Sequence, residues 1–194
     1  MSRGYRVRVR RGVRVSDELD VDCTADDEVR TRVEVLEILP REQMAGLLAG
    51  ELARRGFAEH AGRLERTADG VTVTVDPETG AVAVRAASTG QVHIKGSRET
   101  EVTDWSGGTA EQRRAEGRLR EELRRDLRRQ AERQAQEQVS GRLEAALGDV
   151  AAELDRAVNR VTAEALKQKA AQIGRVKELA EDPDSGSLSI TVEV

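Results

Sequence analysis

Aromatic side chains are almost missing: one Tyr, one Phe and one Trp in 194 residues. Any core must therefore be built from Val, Leu, Ile and Ala. A single cysteine, Cys23, excludes a disulfide framework, and with only His60 and His93 beside it an all-protein zinc site is not expected. No apolar run approaches the roughly 18 residues of a membrane-spanning helix, and the opening Met-Ser-Arg-Gly-Tyr-Arg lacks the apolar segment of a signal peptide. The expected location is the cytoplasm. A net charge of -4 argues against a chain held to nucleic acid by bulk charge. There is no Gly-Lys-Ser/Thr phosphate loop and no strand–GxGxxG–helix unit. These absences point away from an enzyme, and no cofactor is expected.

What is present is patterned charge on an aliphatic frame; charged residues make up 35% of the chain. Tyr5 to Val9 alternates with period two and reads as a half-buried strand. Six arginines between Arg3 and Arg14 precede an acidic block from Asp17 to Glu28, and the two blocks have the signs to face each other as paired strands. Arg30 to Leu39 is apolar enough to predict a central strand. Pro40 opens a helix in which Met44, Leu47, Leu48 and Leu52 share a face, with Gly56 as its stop. Val71 to Val75 and Val82 to Val84 flank Asp76-Pro-Glu-Thr-Gly80, a hairpin whose turn closes on a left-handed glycine. Two further short strands are expected at Gln91 to Lys95 and Glu101 to Trp105.

From Thr109 to Pro183 there is no proline, and good helix formers dominate. Ala115, Leu119, Leu123, Leu127, Ala131, Ala135 and Val139 recur every fourth residue, a stripe that drifts around a helix of 3.6 residues per turn. Leu143, Leu147, Val150, Leu154, Val158 and Val161 come closer to a coiled-coil heptad and are the candidate partner-binding face. Ser140-Gly141 is the expected hinge of a helical hairpin, which would hide both stripes. Ser187 to Val194 alternates as a final strand, expected to return to the N-terminal sheet. The predicted class is α+β, with an N-terminal α+β domain over 1–106, a helical hairpin over 107–183 and a closing strand over 184–194.

Candidate chemistry is thin. Asp20 and Asp22 project from one strand face but lack the spacing of an EF-hand, so a solvated or Arg-paired acidic loop is expected. His93 sits in Val-His-Ile facing solvent, and His60 lies in a polar loop. Cys23, surrounded by acids, reads as an inert thiol. Arg6, Arg8 and Arg10 on the first strand, with Arg124, Arg125, Arg128 and Arg129 on the helix, form a candidate anion-binding set. Acids interleave with the helical arginines, so i to i+4 helix support is the plainer reading, and nucleic acid or an anionic surface is the alternative.

Three stretches, Leu36-Glu-Ile-Leu-Pro-Arg-Glu, Leu47 to Phe57 and Asp69 to Gly80, resemble the accessory families called FtsH ternary system domain X. Ala170 to Val192 is similar in rhythm to an uncharacterised family associated with chloroplasts and cyanobacteria, although Ile173-Gly-Arg replaces that family's Gly-aromatic step. The first resemblance implies a bacterial conflict system in which a small protein accompanies an FtsH-like or MoxR-type AAA+ ATPase and a von Willebrand A protein. It implies a non-catalytic adaptor, substrate or scaffold with protein partners, and it carries over no catalytic residue. A second copy of the chain is a further partner option.

Overall fold

The computed structural model describes residues 9–104, 109–181 and 188–193. In chain order these form β1 (Val9–Arg32), α1 (Arg41–Arg54), β2 (Ala58–His60), β3 (Arg63–Ala68), β4 (Val71–Val75), β5 (Ala81–Asp104), α2 (Thr109–Ile173), β6 (Arg175–Glu181) and β7 (Leu188–Glu193). Five strands make one sheet in the order β1-β5-β4-β3-β2. Its registers are antiparallel, as in Leu64↔Val75 and Val73↔Val84. The predicted α+β class holds.

Two compact units emerge, and neither follows chain order. The first combines 1–25 with 88–139, the second 26–87 with 140–194.

In the first unit β1 and β5 form a ribbon against the leading part of α2. Val13, Val15, Cys23 and Ala25 alternate inward on β1, Ile94 does so on β5, and Leu119, Leu123 and Leu127 are buried on the helix. A Cβ at Gly96 would run into Leu123 and Leu127, so the missing side chain lets the helix approach the strand closely. The other face is charged and complementary across the strands. Asp22 accepts from Gln91, and Glu18 and Asp20 meet His93 and Lys95. Because side chains alternate with period two, these cross-strand pairs pin the register.

In the second unit the inward row Leu64, Val71, Val73, Val75, Val82 and Val84 is buried. Met44, Leu48 and Leu52 of α1 and Leu143, Leu154 and Val161 of α2 complete that core. Phe57 is buried with them. The predicted hairpin turn forms as read. Gly80 has φ +70°, its N–H donates to the Asp76 carbonyl, and Asp76 Oδ1 accepts from Glu78 N (2.9 Å) and Thr79 N (3.1 Å). A Cβ on Gly80 would also collide with the Val33 carbonyl, so only glycine fits there.

Several expectations are corrected. The helical hairpin does not form: α2 is a single helix of 65 residues. Glycine within a helix costs about 1 kcal/mol relative to alanine, which one Gly141 among strong helix formers cannot turn into a break. The apolar stripes are hidden under strands and α1, so the helix has no need to fold back on itself. The helix also ends sooner than predicted, at Ile173. Arg175–Glu181 is a strand that pairs with Leu188–Glu193 in a separate two-stranded sheet, so the C-terminal strand does not return to the main sheet. A neighbour in sequence closes a shorter loop and costs less chain entropy. Gly174 permits the pairing, since a Cβ there would strike the Glu193 carbonyl.

Arg30 to Leu39 is not a central strand. β1 ends at Arg32 and lies at the edge of the sheet, and Leu36 is 64% exposed. The acidic block is strand rather than loop, and the two short strands expected after Gln91 belong to one long β5. Tyr5 and Trp105 lie outside the described residues.

Candidate interaction surfaces

The stripe predicted as a partner-binding face is largely spent inside the second unit. Leu143, Leu154 and Val161 are buried to 4% exposure or less, while Leu147, Val150 and Val158 are half-buried. Val150, Ala145 and Ala146 share with Val71 and Val73 a cleft of about 390 Å³. The structure brings these six residues together on one helix, where they face the chain's own core.

The candidate anion-binding set is not brought together. Arg6 and Arg8 lie outside the described residues, and residue 10 is on β1. Arg124 Nε donates to Asp17 Oδ2 at 2.6 Å, which holds the Asp17 carboxyl below the usual carboxylate range. Arg129 pairs with Asp126 at 2.6 Å, and this bond, helped by Arg98, lowers the Asp126 carboxyl likewise. Arg125 Nε donates to the Glu121 carbonyl, one turn back. Arg128 is exposed. Two of the four helical arginines are thus engaged by acids of their own unit.

Three polar arrangements escaped the sequence reading. Arg66 stands in the inward row of β3, opposite Val73, where an apolar residue is expected. It reaches α2 and grips Glu153 with two bonds, Nη1–Oε1 at 2.8 Å and Nη2–Oε2 at 2.5 Å. It also donates to the Arg55 carbonyl and lies 4.7 Å from the centroid of the Phe57 ring. The Arg66 bond holds the Glu153 carboxyl below the usual range despite partial burial. Glu51, the one buried charged side chain among the described residues, accepts from Arg54 (3.2 Å) and Arg55 (2.9 Å), with Arg160 at 3.9 Å. His93 is flanked on both ring nitrogens, by Asp20 at Nδ1 (2.7 Å) and Glu18 at Nε2 (2.9 Å). These acids bind opposite edges of the ring and do not converge on one point; among the described residues no group of three His, Cys, Asp or Glu side chains is placed to hold a metal ion. His93 has a sequence signal in the alternation of Val-His-Ile, and Glu51 with Arg55 has one in the i, i+4 spacing of a helical pair; Arg66 and Glu153 lie 87 positions apart, and no local pattern joins them.

Among the described residues the most exposed large apolar side chain is Leu36. It sits in the irregular stretch after β1, which is held by Val33 N–H donating to the Gly80 carbonyl and by Arg41, which donates twice to the Glu78 carbonyl. Val33, Leu36, Met44 and Pro77 line a hollow of about 500 Å³ rimmed by Glu34 and Glu37. No described helix is long and apolar enough to cross a membrane.

Sheet, helix and surface together define an α+β protein whose aliphatic rows are consumed in its own two units and whose surface is dense in Arg and acidic side chains. The chain belongs to the family FtsH ternary system domain X5, whose model matches residues 1–194. It is thus a component of an FtsH ternary system, as the resemblance in its N-terminal half implied. No curated protein and no solved structure matches the chain.

Proposed function

We propose that this chain is a non-catalytic adaptor or scaffold of its FtsH ternary system, acting in the cytoplasm by binding the system's AAA+ ATPase or its von Willebrand A protein. The observation that supports this reading is the family match along residues 1–194, since a component of an FtsH ternary system has other components to bind. The burial of the α2 stripe moves the proposed contact elsewhere. Leu36 supports the reading: an exposed leucine on a stretch pinned at both Val33 and Arg41 is an ordered apolar anchor beside acidic side chains.

Co-expression of the tagged chain with the ATPase and the von Willebrand A protein of its own system tests the proposal. Stoichiometric co-purification is expected, with Leu36→Glu weakening it by more than about tenfold. Failure to co-purify with either protein, alone or together, would count against it. The alternative, an anionic-polymer binder using Arg128 and its exposed neighbours, predicts binding to DNA or RNA that falls steeply with salt.

A further inference from the structure

β1 is the terminal strand of the main sheet and 24 residues long, and among the described residues no strand lies on its outer side. Natural edges are blunted by shortness, proline, a bulge or charged side chains, and of these β1 carries the charges. β1 is long and contains no proline.

Its charges fall in blocks, basic through Arg14 and acidic from Asp17 onward. Both blocks lie on one continuous strand and cannot pair within a single chain. β5 meets them with the opposite order: His93 and Lys95 lie beside Glu18 and Asp20, and the Glu99 carboxylate lies beside Gly12 at the basic end. A strand whose charges complement β1 on its free edge carries acid opposite Arg14 and base opposite Glu18, as β5 carries base opposite Glu18 on the other side.

β1 itself has that pattern. Turned about a two-fold axis at Ser16, it sets Arg14 opposite Glu18 of a second copy, and Glu18 opposite Arg14. The same register places the Arg10 position opposite Asp22, and Val13 opposite Leu19. Arg14 is exposed and has no ion-pair partner among the described residues of its own chain. We propose that this chain forms a symmetric dimer in which two β1 strands pair antiparallel about Ser16 and continue the sheet from one copy into the next. Such an isologous contact closes on itself, so it yields a dimer rather than a filament. β5 also has an open edge beyond Ala86, but a self-register about Ser97 offers only Lys95 opposite Glu99 as a full charge pair.

The test is sedimentation equilibrium of the full chain over about 1 to 100 μM. A monomer–dimer equilibrium is expected. Arg14→Glu sets like charges opposite each other twice and weakens dimerisation by about tenfold or more. Circular dichroism confirms that each variant is folded, and Arg14→Ala, which removes an exposed side chain only, shows the same direction with smaller amplitude. A wild-type chain that stays monomeric throughout overturns the proposal. So does a dimer indifferent to Arg14 but weakened by Lys95→Glu, which would move the contact to β5.

Discussion

At the scale of single residues, the second unit places a few charges where apolar side chains are expected. Arg66 is the clearest. Its guanidinium binds Glu153 twice, caps the Arg55 carbonyl and covers Phe57. Arg66→Ala is expected to cost about 1–3 kcal/mol, because it strips Glu153 of its partner and uncovers an aromatic ring; chemical denaturation measures it. Glu153 also makes stability depend on pH. Its carboxyl titrates lower in the folded chain than in the unfolded one, so its contribution is fully present above the unfolded carboxylate pKa. That contribution fades as pH falls through the folded value. Melting curves of wild type and Glu153→Gln should therefore converge on acidification from neutral pH. Curves that stay parallel down to acid would show that the pair carries no linked stability.

At the scale of elements, legibility followed the range of the interactions. The Asp76–Gly80 turn was readable because its chemistry is local: an acceptor at the start, proline next, and a glycine that alone tolerates positive φ. β4 and α1 were readable from period and caps. The hairpin expected in α2 does not form: an apolar stripe states that it is covered, and not by what. The sheet and α1 cover it here, and the same blindness hid Arg66–Glu153, whose members are 87 positions apart. β6 is a strand where the sequence predicts helix, because its strand character comes from pairing with β7, which no local pattern announces.

Gly141 tests the continuous helix. A Cβ there meets nothing within 4 Å, so Gly141→Ala is expected to stabilise the chain by about 0.5–1 kcal/mol. A turn at this site would instead make the substitution destabilising, and thermal melts of the two chains decide between them. Gly80→Ala, by contrast, meets both a positive φ and the Val33 carbonyl. It is expected to cost more than about 1 kcal/mol, with the same measurement as the check.

At the scale of the whole molecule, β1, β5 and α2 each contribute residues to both compact units. A cut at residue 106 would separate the two strands of the ribbon from the helix that buries Val13, Val15 and Ile94, so neither fragment is expected to fold independently. Expression of 1–106 alone, followed by circular dichroism, should show loss of native structure; a cooperative melt of that fragment would contradict this. The aliphatic surface needed for binding a partner is thus scarce, because the units themselves use most of it. Leu36 and the charged faces remain.

Whether the chain works by binding proteins of its own FtsH ternary system is tested most directly by calorimetric titration of the purified chain with the system's AAA+ ATPase and von Willebrand A protein. Saturable binding to at least one of them, weakened by Leu36→Glu while the fold is retained, is the predicted result. No heat and no complex with either protein, together with tight salt-sensitive binding to nucleic acid, would contradict it.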